Sequence, residues 1–347
     1  MKLTFLARRR LQRIGLIALV VVLILMLAWF CWVIWLERYV VYSRDGAILN
    51  FDLDNNPGTG QIANPPSSNE TVPIYVNEGS NAINLSTELT QLYGYYIDAD
   101  SLQNDIATVR NTIATLPSGT AVVIELKNIW GSFFYSTGVE DATLSTQLDV
   151  NAVDSLISEI TSRNLYAIAK IPAFRERYYF LIDNANTSCG FAQTGKGYLW
   201  SDEEKCYWMD PTDNKTLSWL RSIVEELKGM GFDEVVFSEF RIPNTTSISF
   251  SGNTTEAIKT AAQDLVTTCA TENFAVSFLT SDTTFPLPEG RSRLYLENVS
   301  AKNVDAIAAQ IGLTDPEIRL VFVSTTNDTR YDTYGVIRPI TISSMNQ

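Results

Sequence analysis

The sequence predicts a parallel (β/α)8 barrel of the TIM type, in which eight strands close into a ring and helices cover them. From residue 92 onward, eight segments with strand character follow one another, and helical segments separate most of them. The strand segments are apolar along nearly their whole length, which is typical of parallel strands buried on both faces. Ionisable residues follow five of the eight segments, at the end where barrel enzymes place their active sites. An open, doubly wound sheet is the alternative architecture.

The strand segments are short apolar runs, mostly bounded by turn residues. They cover residues 92–97, 120–126, 165–171, 233–237, 274–279, 293–297, 319–324 and 335–340. Helices are predicted where apolar residues recur at helical spacing, over residues 102–116, 150–162, 215–230, 255–269 and 301–311. Gly231 ends the helix before the fourth strand. No helix is indicated after Leu279 or after Ser324, so we expect the last third of the barrel to be irregular.

The amino-terminal part of the chain predicts a membrane anchor. Residues 14–36 form an uncharged apolar run that is long enough to cross a hydrocarbon core of about 30 Å as a helix. The run follows four arginines, which by the positive-inside bias places residues 1–13 in the cytoplasm and the bulk of the chain outside the cell. Residues 37–71 are predicted to form a stalk, which begins with a hairpin turning at Asp45 and Gly46. Residues 72–347 then form the extracytoplasmic barrel.

Composition excludes several classes of function. The net charge of −13 argues against a nucleic-acid partner, which would need a basic footprint. The chain has no His, which excludes Ser/His and Cys/His catalysis and the commoner zinc sites. We expect no metal and no cofactor, since no phosphate-binding or metal-binding motif occurs. Acid–base chemistry must therefore use carboxylates, Lys or Tyr. Cys189 and Cys206 flank one insertion and either pair as a disulfide or remain free thiols.

The residues at the strand ends suggest chemistry on carbohydrate. Glycoside hydrolysis needs one carboxyl group to protonate the leaving oxygen and a second one to attack or to activate water. Glu125 and Glu239 are the candidate catalytic residues. The candidate substrate-binding residues are Asp98, Lys127, Lys170, Arg175, Trp208, Asp210, Ser238, Arg241 and Glu297. Aromatic residues near the same end suit sugar faces, among them Tyr95, Tyr96, Trp130, Tyr178, Tyr179, Trp200 and Tyr207. Residues 175–213, an insertion after strand three, are predicted to fold over the mouth as a lid.

Several segments carry a family resemblance. The segments AVVIELKN, YLWSDEEKCYWMDP and GFDEVVFSEFRIP occur in that order. They resemble a family of bacterial, often membrane-anchored, amylase-like barrels related to glycoside hydrolases. Strand four of that family usually reads FDEIQFDYVRFP, and its second Asp lies where related barrels carry the catalytic nucleophile. Arg241 and Pro243 match this pattern, whereas the Asp position is Ser238. The family's I-D-x-K on strand two corresponds to residues 124–127, with Glu125 at the acidic position.

The resemblance implies a membrane-anchored glycoside hydrolase that acts on polysaccharide or cell-wall glycan. The departure at Ser238 leaves three possibilities open, because side chains alternate along a strand and Glu239 is expected to point away from Ser238. A bulge turns Glu239 inward, or Glu125 acts with another acid, or the barrel is a catalytically inactive glycan-binding or cell-envelope scaffold protein. Arg241 is predicted to pair with Asp210, or otherwise with Glu125 or Glu239, since an unpaired buried charge is costly. Asp210 alternatively caps the helix that follows it.

Overall fold

The computed structural model describes residues 89–340, residues 40–43 and 46–49, and the single residues Met26 and Trp29, both of which are helical. The remainder of the predicted membrane segment, most of the predicted stalk and residues 72–88 lie outside the described residues. No described helix is long and apolar enough to cross a membrane. The chain divides into two units, Met1–Thr59 and Gly60–Gln347. In the first unit Val40–Ser43 pairs antiparallel with Gly46–Leu49, which confirms the predicted hairpin. Gly46 was predicted in the turn but lies in the second strand, where it pairs with Ser43.

The second unit contains a closed barrel of eight parallel strands, which confirms the predicted fold class. Each strand pairs with the next one along the chain, and the last strand returns to the first. The strands are β1 (Tyr93–Ile97), β2 (Ala121–Glu125), β3 (Tyr166–Pro172), β4 (Glu234–Ser238), β5 (Ala275–Thr280), β6 (Leu294–Leu296), β7 (Leu320–Val323) and β8 (Gly335–Pro339).

Helices lie between most of the strands. They are α1 (Ala99–Asn104), α2 (Ile106–Thr115), α3 (Val150–Ser162), α4 (Tyr178–Ile182), α5 (Asn214–Gly229), α6 (Thr254–Cys269), α7 (Val304–Ile311) and α8 (Pro316–Arg319). The predicted helix over residues 102–116 is instead two helices, because Asp105 leaves the helical conformation between them. Within the described residues no α-helix lies between β5 and β6, and only a 3-10 helix, Thr329–Thr333, lies between β7 and β8. The irregular last third of the barrel is therefore confirmed.

Helix α5 brings the chain to the central strand β4. The carboxylate of Asp213 accepts a hydrogen bond from the Lys215 amide at the first turn, and thus caps the helix. The five apolar residues at helical spacing, Leu217, Leu220, Ile223, Val224 and Leu227, are all buried. Gly231 has a φ of +88°, a conformation that glycine adopts without steric cost. Helix α5 ends two residues earlier, at Gly229, and Gly231 then lets the chain turn toward β4.

The barrel interior decides which strand-end residues share the mouth. The inward-facing row of the strands forms one apolar cluster, made of Leu92, Ala121, Val123, Ile168, Val236, Leu279, Tyr295, Val321 and Ile337. Side chains on a strand alternate between its faces, so a residue two positions after an inward residue also points inward. Glu125, Lys170 and Ser238 each lie two residues after an inward-facing residue, namely Val123, Ile168 and Val236 respectively. They therefore continue the interior row at the carboxyl ends of β2, β3 and β4.

Candidate functional site in the barrel mouth

Glu125 and Lys170 form an ion pair at the mouth. They are register partners on the neighbouring strands β2 and β3, and the Lys170 Nζ lies 3.3 Å from the Glu125 Oε2. The Glu125 side chain is 10% exposed and the Lys170 side chain is 22% exposed. The pair is thus shielded yet reachable from solvent, as a ligand site requires.

Tyr96, on the adjacent strand β1, lies among three carboxylates. Burial raises the pKa of the Tyr96 hydroxyl, and the negative charges of Asp98, Glu125 and Glu297 raise it further. The charges of side chains at the ends of β1, β2 and β6 thus all act on the same phenol. The Tyr96 hydroxyl stays protonated and is a hydrogen-bond donor at neutral pH. We predicted Tyr96 only as one of several aromatic residues near the mouth, although the alternation along β1 places it two residues before Asp98.

Asp98 and Glu297 occupy different local settings. The Asp98 carboxylate accepts a hydrogen bond of 2.9 Å from the Ser101 amide and caps α1. Glu297 directly follows β6, and its amide donates to the Thr280 carbonyl at 3.2 Å. Asp98 is therefore partly committed to the helix, whereas the backbone of Glu297 is fixed to the end of β5.

Glu239 does not continue the inward row. Strand β4 ends at Ser238, and Glu239 adopts a φ of +50°, a left-handed conformation that is uncommon for residues other than glycine. Its carboxylate bridges two guanidinium groups, with Oε1 3.7 Å from Arg175 Nη1 and Oε2 3.4 Å from Arg241 Nη2. The side chain is only 6% exposed. Glu239 therefore organises two arginines beside the mouth, which favours a positioning role over the predicted catalytic one.

Trp208 and Asp202 complete this arginine cluster. The Arg241 guanidinium lies 4.7 Å from the centre of a Trp208 ring, and the Arg175 guanidinium lies 5.8 Å away. The Asp202 Oδ2 accepts hydrogen bonds from Arg175 Nε at 2.7 Å and from Trp208 Nε1 at 3.1 Å. The Arg241 side chain remains 44% exposed, so it is the member of the cluster that a ligand can reach. Sequence reasoning missed Asp202, because no motif links it to Arg175.

The carboxylate that pairs with Arg241 is Glu239, the last of the three partners that we predicted. The Asp210 Oδ1, our first choice, accepts hydrogen bonds from the amide and the hydroxyl of Thr212, at 2.8 and 2.6 Å. Asp210 therefore closes the turn that precedes α5. The amino-terminal cap of α5 is Asp213, so Asp210 does not cap this helix as we alternatively predicted.

Lys127 requires a correction. It was predicted to contact substrate, but its side chain is fully buried and its Nζ lies 2.5 Å from the Glu176 Oε2. The Nζ also donates to the Pro172 carbonyl at 3.2 Å and lies 4.7 Å from the centre of a Trp219 ring. Lys127 thus fastens the loop after β2 to the insertion after β3, and its ammonium does not reach the mouth. Strand β2 ends at Glu125, so the strand alternation no longer governs Lys127.

The insertion of residues 175–213 lies at the carboxyl-terminal face of the barrel. Arg175–Glu176 pairs antiparallel with Tyr207–Trp208. The amides of Arg177 and Tyr178 donate to the Trp130 carbonyl in the loop after β2, and the Thr194 amide donates to the Ser247 carbonyl in the loop after β4. The insertion is therefore joined to the loops on both sides of it, at the face where we expected a lid. How far it covers the mouth stays a prediction.

Cys189 and Cys206 are free, buried thiols. The Cys189 Sγ donates to the Asn186 carbonyl, whereas Cys206 lies beside the Arg175 and Asp202 pair. Burial raises the pKa of the Cys206 thiol to about 12. Of the two alternatives left open by the sequence, the structure contains the unpaired thiols.

The fold and the mouth together define a class of protein. A closed (β/α)8 barrel with carboxylates, a lysine and a tyrosine at the carboxyl ends of its strands has the architecture and the functional groups of barrel enzymes that act on glycosides. The chain belongs to the family described as "Putative glycosyl hydrolase domain", whose model matches residues 95–281. No curated protein matches this chain.

Solved structures share the fold at low identity. An exo-β-N-acetylglucosaminidase of family GH20 from Vibrio harveyi, in complex with N-acetylglucosamine, aligns over 75% of this chain and 52% of its own, with 9% identity and a TM-score of 0.51. This chain thus spans about half the length of that enzyme. A hypothetical protein from Ruminiclostridium thermocellum ATCC 27405 aligns over 53% of this chain and 96% of its own, with 18% identity and a TM-score of 0.44. The likeness to the Vibrio harveyi enzyme shows a common fold and no more.

Proposed function

We propose that this protein is a membrane-anchored, extracytoplasmic glycoside hydrolase that acts on polysaccharide or cell-wall glycan in the barrel mouth. The observation that carries the proposal is the set of three carboxylates at the strand ends, Asp98, Glu125 and Glu297, whose charges all act on the Tyr96 hydroxyl. Membership of a glycosyl hydrolase domain family supports the same chemistry. The anchoring rests on residues 14–36 and the arginines before them.

Glu125 is the residue we assign to nucleophilic attack or to activation of water. Its carboxylate forms an ion pair with Lys170, and its side chain points into the barrel. Glu297 is the partner we assign to protonation of the leaving oxygen. It follows β6, which lies opposite β2 in the ring of eight strands, and its charge acts on the same Tyr96 hydroxyl as that of Glu125. Tyr96 donates a hydrogen bond to substrate or to a catalytic carboxylate. Arg241 offers an exposed guanidinium beside the mouth, and the buried Trp208 ring lies beneath it.

One observation favours a second candidate, a barrel that binds glycan without hydrolysing it. Ser238 points into the mouth from β4, at the position where the resembled family carries the Asp that aligns with the nucleophile of related barrels. Glycoside hydrolysis by two carboxyl groups needs a carboxylate at such a position, and serine carries none. If Glu125 does not replace that Asp, the mouth retains the groups that bind sugars and lacks one of the two carboxylates that hydrolysis needs.

Activity of the full-length chain on a panel of labelled polysaccharides and peptidoglycan fragments tests the proposal. We expect Glu125→Gln and Glu297→Gln each to lower the hydrolysis rate by about 10²- to 10⁴-fold, the range for loss of a general acid or base. Glu159→Gln, a change of a half-exposed residue on α3, serves as the control and is expected to keep full activity. Glu239→Gln is expected to weaken substrate binding more than turnover, since it releases Arg241.

Binding to the same panel separates the two candidates. Hydrolysis that persists unchanged in both the Glu125 and Glu297 variants contradicts the assignment of the catalytic pair. Binding of a glycan by the parent chain without any turnover supports the binding-only protein. A chain that neither binds nor cleaves any member of the panel contradicts both functions.

A further inference from the structure

A cavity lies outside the set of residues that forms the mouth. It has a volume of about 490 Å³ and lies between residues 138–141, in the loop after β2, and one face of helix α5. Lys215, Ser218, Trp219, Ser222 and Glu226 contribute this helical face. None of the mouth residues lines it. Its volume falls within the range of about 300 to 1,000 Å³ that is typical of small-molecule sites.

Two fixed aromatic rings contribute to the cavity wall. Tyr179, from the insertion, and Trp219, from α5, line it, and their ring centres lie 4.7 Å apart. The Trp219 Nε1 donates a hydrogen bond of 3.0 Å to the Glu140 carbonyl, so the indole also holds the loop on the opposite side. Both residues are buried, which fixes the shape of the wall before any ligand arrives.

The polar groups around the rings are held in place by hydrogen bonds. Lys215 Nζ lies 2.5 Å from Asn186 Oδ1, and Asn186 Nδ2 donates to Asp141 Oδ2 at 3.0 Å. The Glu226 carboxylate accepts from the Tyr135 hydroxyl, the Thr137 hydroxyl and the Gly138 amide, at 2.7, 2.6 and 2.6 Å. Lys215 of α5, Asn186 of the insertion and Asp141 of the loop after β2 thus form one chain of contacts along the rim. The rim is preorganised in the way that a binding site needs.

The charge and chemistry of the lining select the class of ligand. One ammonium, of Lys215, stands against three carboxylates, of Glu140, Asp141 and Glu226, so the cavity disfavours anions such as phosphate or uronic acids. Carboxylates accept hydrogen bonds from hydroxyl groups, and the Lys215 ammonium and the Ser218 hydroxyl donate to them. The two aromatic rings contribute to the apolar part of the wall. We propose that this cavity binds a short neutral oligosaccharide, as a glycan-holding site separate from the mouth. The proposal does not depend on hydrolysis.

Filling the cavity with a bulky side chain tests this proposal. Ser222 lies on the cavity face of α5 and its hydroxyl donates to the Trp219 carbonyl three residues earlier. Ser222→Trp is expected to occupy the cavity and to weaken binding at one site at least tenfold. The matched control is Ser158→Trp on α3, an exposed serine outside the cavity whose hydroxyl likewise donates to a carbonyl of its own helix, that of Asp154. We expect the control to bind like the parent chain.

The measurement is calorimetric titration of the full-length chain with cellobiose, maltotriose and N,N′-diacetylchitobiose. Lys215→Ala is a second variant, which removes the only cation of the lining without adding bulk, and is expected to weaken binding as well. Near-ultraviolet circular dichroism checks that each variant is folded. Equal binding by the parent chain, the Ser222 variant and the Lys215 variant overturns the proposal, as does the absence of binding of all three sugars at millimolar concentration. Hydrolysis that persists in the Ser222→Trp variant while this binding is lost shows that the cavity and the mouth act independently.

Discussion

At the scale of a single residue, Gly131 makes the buried Lys127–Glu176 pair possible. Gly131 has a φ of +93°, and a Cβ atom there would lie 1.4 Å from the Glu176 Oε1. The missing side chain leaves the space in which the Glu176 carboxylate lies. From this position its Oε1 accepts a hydrogen bond of 3.0 Å from the Arg177 amide while its Oε2 contacts Lys127. The loop after β2 and the insertion after β3 therefore depend on one glycine.

Gly131→Ala is expected to lower the free energy of unfolding by about 3 to 5 kcal/mol, the cost of leaving one member of a buried ion pair without its partner. The added methyl group displaces Glu176 and leaves the Lys127 ammonium buried without its carboxylate. Urea unfolding followed by circular dichroism measures the loss.

Gly119→Ala is the control for Gly131→Ala. Gly119 has a φ of +82° and no heavy atom lies within 4 Å of an added Cβ. The substitution therefore introduces only left-handed strain, of about 1 to 2 kcal/mol. Equal losses for the two alanine variants would show that backbone strain, and not the carboxylate contact, accounts for the effect.

At the scale of an element, Asp202 holds the insertion together. Burial alone would raise the pKa of Asp202, but hydrogen bonds from the Arg175 guanidinium, the Cys206 amide and the Trp208 indole outweigh it and lower the pKa below the ordinary value of 3.8. The same carboxylate accepts from the Glu204 amide at 3.0 Å. One side chain thus joins the two antiparallel strands of the insertion to the short turn that precedes the second strand.

The lowered pKa fixes the sign of a pH dependence. Because the folded-state pKa lies below the unfolded value, ionised Asp202 contributes stability that is fully present above pH 3.8 and is lost as the pH falls through the folded-state pKa. Asp202→Asn is therefore expected to destabilise the protein most near pH 7, with a difference from the parent chain that shrinks below about pH 4. Urea unfolding between pH 7 and pH 3 measures this difference. Asp100→Asn, at an exposed residue of α1, is the control, and a constant difference for Asp202→Asn across this range would contradict the assignment.

At the scale of the whole molecule, a buried polar network ties the amino-terminal ends of the barrel strands together. Arg293, just before β6, contacts Glu234 of β4 through Nη1 and Oε2 at 2.5 Å, and the two side chains are 1% and 0% exposed. The other members of the network are the Tyr166 hydroxyl on β3, the Tyr295 hydroxyl on β6, and the carbonyls of Thr90 before β1 and Ile318 before β7. The network therefore contacts five of the eight strands or the segments that lead into them.

Arg293→Met is expected to destabilise the barrel by about 3 to 5 kcal/mol, because the Glu234 carboxylate stays buried without its cation. Thermal unfolding should remain a single transition at a lower temperature, since the loss affects strands all around the closed sheet. Arg110→Met is the control, because Arg110 pairs with Glu159 on the surface, and exposed pairs contribute only about 0 to 1 kcal/mol. Similar shifts for both variants would mean that the network contributes no more than a surface pair.

The sequence by itself determined the barrel, its eight strands in order and most of its helices. These features follow from local signals, namely apolar runs, helical spacing and the glycine that follows α5, and they lie within one or a few residues of the predicted bounds. The absence of helices after β5 and after β7 could also be predicted, because those segments lack helical spacing. The break between α1 and α2 at Asp105 could not be predicted, because the helical spacing of apolar residues continues across it.

The sequence also determined which residues stand at the strand ends, but only the tertiary structure decided what each one contacts. Lys127 and Glu125 are two residues apart, and yet one is buried against the insertion while the other points into the mouth. The left-handed backbone at Glu239 turns its carboxylate toward Arg175 and Arg241, and no local rule predicts such a conformation at a glutamate. The closure of the barrel and the path of the insertion bring together ion-pair partners that are distant in the chain. The strand order is therefore encoded locally, whereas the chemistry of the mouth depends on contacts that exist only once the ring of strands has closed.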